Sequence, residues 1–246
     1  MESSDSIDRE LQELMAKYGF VRPDRGDLDA DQLAAAWRHG KPDYRRADLE
    51  YFRGKTMNHQ AGSLELLVEN LVKKWEMEAS HLADHRDWST VNAETYRVQA
   101  NGSKTFMGAE SAKVGSYNWL LSTVGKKELY DSEKQTFESS HAAFRGAFPD
   151  GFPWELLRVF SGPPKVAFSW RHWARFSGQY KGKVGEGQLC EMHGFGVVEV
   201  DEDLRISKVE IYYNPEPFLE ELEGKVPAQP GGRDIIGSGC PIHQDK

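Results

Sequence analysis

The chain of 246 residues is 39% hydrophobic, 11% aromatic and 28% charged, with a formal net charge of −8. That is globular composition for one large domain or two small ones, and a negative balance without a Lys/Arg-rich run argues against nucleic acid or an anionic membrane as partner. No stretch reaches the roughly 20 apolar residues of a membrane helix, the acidic start Met1-Glu2-Ser3-Ser4-Asp5 is unlike a signal peptide, and Cys190 and Cys240 are too few for a disulfide framework, so a cytoplasmic protein is expected.

Residues 1–60 read as an arm packed on the main domain. Ile7, Leu11, Leu14 and Met15 outline an amphipathic helix, and Leu33 to Trp37 a second. Charged links containing Pro and Gly, such as Arg22-Pro23-Asp24-Arg25-Gly26, separate them, and Trp37 and Tyr44 are the expected anchors. Residues 61–224 form the domain itself. Its clearest helix is capped by Ser63 and carries Leu64, Leu67, Leu71, Trp75, Ala79 and Leu82 on one face. A second helix is expected from Gly108 to Leu121. A third runs from Phe137 to Phe148 and is broken by Pro149-Asp150-Gly151.

From about residue 153 the apolar period becomes that of strands: Glu155 to Ser161, Lys165 to Gly178, Gln188 to Val200 and Ile206 to Tyr213. A short helix at Pro217–Leu222 follows, and residues 225–246 read as an irregular tail. Helices first and a meander of strands afterwards predict an α+β fold, with the helices packed on one face of an antiparallel sheet.

Several strings carry a family likeness. Phe137-Glu138-Ser139-Ser140-His141, Ala147-Phe148-Pro149, Phe160-Ser161-Gly162-Pro163-Pro164, Arg171-His172-Trp173 and Gly239-Cys240-Pro241 resemble the pathogen-related proteins of plants and their fungal relatives. Trp37 to Tyr44 and Trp75-Glu76-Met77-Glu78 fit the same family, so the likeness spans about residues 35–243. The stretch from Gly178 through Gly182, Gly187 and Gly194 to Asn214 and Leu222 is similar to the SnoaL-like polyketide cyclases of the nuclear-transport-factor-two-like fold. That resemblance implies a curved sheet and helices forming a cone around a pocket, and an exposed sheet face through which a homodimer would form. In the cyclases an Asp near the end of the last strand serves as acid/base. The matching residue here is Asn214, which does not titrate at ordinary pH, so the mechanism does not transfer.

The candidate site residues rest on strand phase and on this likeness. Trp170 and His172 share a phase with Val166, Phe168, Ala174 and Phe176, the apolar face that lines the pocket in the SnoaL-like fold. A histidine there suits general acid/base chemistry, with an unperturbed pKa of about 6.5; the alternative is a core histidine bonded to a backbone carbonyl. His193 alternates with Glu191 on a strand whose phases are both mixed, which leaves pocket and surface open. On the last strand, simple alternation buries Val209, Ile211 and Tyr213, whereas the cyclase likeness turns Glu210, Tyr212 and Asn214 inward, with Glu210 as an acid beside His172.

Tyr117 is a candidate wall residue and His81 a candidate rim residue. His81 and His85 stand one turn apart near Glu78, but spacing assigns no third ligand, so no metal is expected. No phosphate loop and no nucleophile elbow occur, so no cofactor is expected either. The expected partner is a small hydrophobic metabolite in an internal pocket. It is either converted by cofactor-independent cyclisation, isomerisation or dehydration, or held without turnover.

Overall fold

The computed structural model describes residues 4–34 and 36–225. The arm carries helix α1 (Ser4–Tyr18) and helix α2 (Arg45–Gly54). Where a helix was expected over Leu33–Trp37, the described residues show a 3-10 turn, Asp31–Leu33, and Trp37 forms an isolated bridge with Leu82. Helix α2, written Arg-Arg-Ala-Asp-Leu-Glu-Tyr-Phe-Arg-Gly, is too charged to stand out by periodicity, yet it buries Leu49, Tyr51 and Phe52. With Ile7 and Leu11 of α1, these side chains close over Trp173. Each large apolar side chain buried in this way stabilises the contact by about 1.5–3 kcal/mol.

Helix α3 (Leu64–His81) starts at Ser63, whose hydroxyl accepts from the Leu66 amide at 3.2 Å. Its buried apolar positions are Val68, Val72, Trp75, Met77 and Ala79, whereas Leu64 and Leu67 are 37% and 60% exposed. The displacement from the expected stripe has a cause. The arm covers a second side of α3, where Glu69 and Lys73 are buried and Tyr51 of α2 donates to Glu69. Where one helix was expected from Gly108 there are two, α4 (Gly108–Val114) and α5 (Ser116–Leu120). Gly115 separates them at φ +86°, and a Cβ there would lie 2.8 Å from the Phe137 ring. Helix α6 (Phe137–Ala147) is held by a capping box between Thr136 and Ser139. Helix α7 (Glu216–Leu222) ends the described fold.

The sheet has the order β2-β1-β8-β7-β4-β3. Strands β3 (Trp154–Ser161), β4 (Lys165–Phe176), β7 (Gln188–Val200) and β8 (Ile206–Tyr213) lie within two residues of their expected bounds. Two short strands come earlier in the chain, β1 (Arg97–Ala100) and β2 (Phe106–Met107), and a two-residue hairpin, β5 (Gln179–Tyr180) with β6 (Lys183–Val184), stands apart. Strand β1 runs parallel to β8, and the other pairs are antiparallel. Register shifts in β3 and near Val200 bend a sheet that is curved as a whole. The body helices cover its concave face and the arm docks on the convex one, at Trp173 and Leu189. The result is α+β, a curved and mostly antiparallel sheet with helices on its hollow side.

Candidate functional site

The hollow of the sheet does not fill completely. Opposite Trp170 and Phe168 on β4, the neighbouring strand β7 places Gly194 and Gly196. A Cβ at Gly194 would overlap the Trp170 indole, and one at Gly196 would sit 2.7 Å from the Phe168 ring. Both rings therefore lie down on bare backbone, and space remains above them. It is a cavity of about 90 Å³ walled by Trp75 and Glu76 of α3, Tyr117 of α5, Phe144 of α6, Phe218 of α7, and Trp170, His172 and Tyr213 of the sheet. On the measure by which one water needs roughly 10–15 Å³, it has room for several. A smaller chamber of about 60 Å³ adjoins it, with Glu76, Phe152 and Trp154 as common wall. Arg25, Tyr44, Ala47 and Tyr51 of the arm, Lys73 of α3 and Pro153 supply the rest of that chamber.

The polar groups of the cavity fall into two sets. His172 Nδ1 lies 2.8 Å from the Pro153 carbonyl, and the ring packs against Phe152 at 3.7 Å between centroids. A carbonyl only accepts, so Nδ1 carries the proton and Nε2 is an acceptor. Burial pushes the pKa of His172 down to about 3, so the ring is neutral at physiological pH. The Tyr213 hydroxyl donates to the Leu120 carbonyl at 3.1 Å.

Glu76 and Tyr117 form the second set: no hydrogen bond of either side chain occurs among the described residues. Burial raises Glu76 from its ordinary 4.5 to about 7, while Lys73 and Arg25 pull the other way. Tyr117, stacked on Phe144 at 4.3 Å, is raised by burial and further by nearby Glu76. The indole Nε1 of Trp170, itself buried, also lacks an acceptor.

Of the residues singled out in the sequence, His172, Trp170 and Tyr117 are brought together in the cavity wall. Glu210, Tyr212, Asn214 and His193 are not. The register Gly194↔Tyr213, Gly196↔Ile211 and Val198↔Val209 puts Tyr213, Ile211 and Val209 on the cavity side, and period-2 alternation sends their neighbours to the opposite face. There Glu210 pairs with Lys208 at 3.0 Å, Tyr212 is 41% exposed, and His193 is exposed. Asn214 is exposed too, its side chain accepting from the Glu216 amide at the start of α7. The alternation of apolar residues on β8 was the correct guide; the cyclase likeness pointed the wrong way at these positions.

His81 stands outside the cavity wall, its Nδ1 3.1 Å from the Met77 carbonyl and 3.4 Å from the Tyr44 hydroxyl, and burial lowers its pKa to about 4. Glu78 turns away from it to receive the amides and hydroxyls of Ser89 and Thr90. Among the described residues, no three His, Cys, Asp or Glu side chains gather as a metal site would require. Cys240 and the Gly239-Cys240-Pro241 string lie outside the described residues. Glu76 was missed as a site residue. Its signal was a carboxylate one residue from Trp75, on the border of the apolar stripe.

No family model matches the sequence. Over 211 residues the chain is 36% identical to the pathogen-related protein of Hordeum vulgare, covering 84% of this chain and 88% of that protein. The chain belongs to the pathogen-related protein family. Solved structures similar to this family member include AclR from Streptomyces galilaeus, assigned as a hydroxylase: 15% identity, 65% of this chain and 94% of that one, TM-score 0.40. A protein from Jannaschia assigned as a SnoaL-like polyketide cyclase matches at 10% identity, over 68% and 96% of the two chains, with TM-score 0.39. A third, from Catenulispora acidiphila with a ketosteroid isomerase-like fold, matches at 9% identity over 58% and 85%, with TM-score 0.34. No helix among the described residues of this family member is long and apolar enough to cross a membrane.

Proposed function

We propose that this protein binds a small, predominantly apolar organic molecule in the cavity between α3 and the sheet, and that Glu76 exchanges a proton with it. The observation that carries the reading is the contrast within one cavity wall. His172 and Tyr213 spend their hydrogen bonds internally, while Glu76 and Tyr117 have none to the described residues. A carboxyl that desolvation holds at a pKa near 7 is populated in both forms at neutral pH, the condition under which general acid/base catalysis is most effective. The Tyr117 hydroxyl would donate to an oxygen of the bound molecule, and apolar walls exclude competing water. These parts suit a cofactor-independent isomerisation, cyclisation or dehydration, each of which turns on moving a proton at carbon or oxygen.

One observation favours binding without turnover. Glu76 is the single cavity group poised near neutrality, because His172, with its pKa near 3, is no acid under these conditions. The discriminating experiment is native mass spectrometry of protein purified from its own source, followed by incubation of the captured molecule with wild type and Glu76→Gln. Conversion by the wild type and retention without conversion by the variant support catalysis. Retention without conversion by both supports sequestration. A wild type that carries no small molecule and binds none from an extract refutes both.

A further inference from the structure

The arm does more than cover the sheet: it builds the smaller chamber, and that chamber differs in charge from the cavity it adjoins. Lys73 is 5% exposed. Its Nζ lies 3.0 Å from Glu69 Oε1 and 3.0 Å from the centre of the Tyr51 ring, and its buried ammonium has N–H donors to spare. Arg25 reaches in from the arm, stacked on the Tyr44 ring at 3.9 Å and paired with Asp48 at 2.9 Å. Asp48 and Glu69 stand behind these two cations and are not part of the chamber wall. The charged groups that line the space are therefore Arg25, Lys73 and Glu76.

Resting on the small-molecule reading above, we propose that the ligand is an amphipathic carboxylic acid, its apolar body in the cavity beside Trp170 and its carboxylate in the arm-built chamber between Arg25 and Lys73. An anion there accepts charge-assisted hydrogen bonds from the Lys73 ammonium, which has donors to spare, and lies beside the Arg25 guanidinium. Glu76 would oppose it only while ionised. The groups around Glu76 are Lys73 on its own helix, Arg25 and Tyr44 from the arm, and Tyr117 from α5. The two cations already hold its pKa below what burial alone would set. A ligand carboxylate engages those same cations and adds a like charge, so Glu76 takes up a proton as the acid binds. The bound complex then holds Glu76 in its acid form, which makes it the proton donor in the chemistry proposed above.

The test is calorimetric titration of the full chain with three matched probes: 4-phenylbutanoate, 4-phenylbutan-1-ol and 4-phenylbutan-1-amine. The alcohol reports on the apolar cavity alone. Below about pH 7 the acid is expected to bind about 10-fold or more tightly than the alcohol, the worth of one charge-assisted hydrogen bond, and the amine more weakly than the alcohol. Above that pH the acid's affinity should fall by up to about tenfold per pH unit as proton uptake becomes costly, with the alcohol's unchanged. Glu76→Gln should bind the acid without this pH dependence. The double variant Lys73→Met/Glu69→Gln removes the cation without stranding a buried anion, and it should lose the preference for the acid while keeping the alcohol. An alcohol that binds as tightly as the acid, or an amine that binds best, overturns the carboxylate assignment and leaves the cavity reading standing. Failure of all three to bind overturns both.

Discussion

Replacing Glu76 with glutamine removes the one cavity carboxyl that burial holds near neutrality, and the consequence for stability is calculable. In the unfolded chain this group ionises at about 4.5, and in the folded chain at about 7. The difference between these two values corresponds to about 3 kcal/mol, since a tenfold change in an ionisation constant is worth about 1.4 kcal/mol. The folded pKa is raised, so the folded state holds the proton more firmly. The stability that this group contributes is complete below the unfolded value and is lost as pH rises through the folded one. Glutamine keeps the shape and cannot ionise, so the variant escapes that loss.

Urea denaturation of wild type and Glu76→Gln should therefore show a stability difference, in favour of the variant, that grows by about 2–3 kcal/mol between about pH 5 and about pH 8. Tm by calorimetry should track the same course. Two curves that stay parallel across this range would mean that the carboxylate reaches water or a cation when folded. The proton-transfer role assigned to it would fall with that result.

His172 is expected to act in the opposite direction. Its folded pKa is depressed to about 3, so the wild type loses stability as pH falls below the ordinary histidine value, and His172→Gln should recover about 2 kcal/mol of that loss at about pH 5. Equal acid sensitivity of the two proteins would contradict the burial of this ring. Gly194→Ala would push the Trp170 indole off the backbone it lies on, at a cost of about 1–3 kcal/mol, with shifted tryptophan emission and loss of probe binding; an unchanged melting curve would show that the ring has room to move. Deleting residues 1–60 removes Ile7, Leu11, Leu49 and Phe52 from Trp173, so Tm should fall and emission shift to the red. A deletion that melts like the full chain would mean that the arm contributes nothing to the body.

The long strands were legible because each runs for eight or more residues and is bounded on one side by a plain turn, Gly162-Pro163-Pro164 or Asp201-Glu202-Asp203. The phase of Phe168, Trp170 and His172 was legible for the same reason. Strands β1 and β2 were not, because four and two residues carry no period and their pairing with β8 is set by the tertiary fold. The break at Gly115 required knowing that Phe137 would press against it. Glu76 was hidden for a deeper reason. A carboxylate beside an apolar stripe reads as the solvated edge of a helix, and only the arm, arriving from residues 20–54, turns that edge into an interior. Helix α2 and the buried Glu69 and Lys73 were obscured likewise, since a charged sequence gives no hint that its charges are neutralised by one another.

Two of the arm's contacts with the body lie far apart along its sequence. Ile7 and Leu11 belong to the apolar cluster around Trp173 at the convex face, while Arg25 and Tyr44, further along the same segment, form part of the inner chamber wall. A molecule that engages Arg25 adds to the free energy holding the arm in place, and the increment is shared along the segment. Helix α1, which nothing in the cavity touches, thereby becomes a remote gauge of occupancy. Its amides should exchange with deuterium more slowly when the chamber is filled, and a protease cutting between residues 18 and 24 should separate loaded from empty protein.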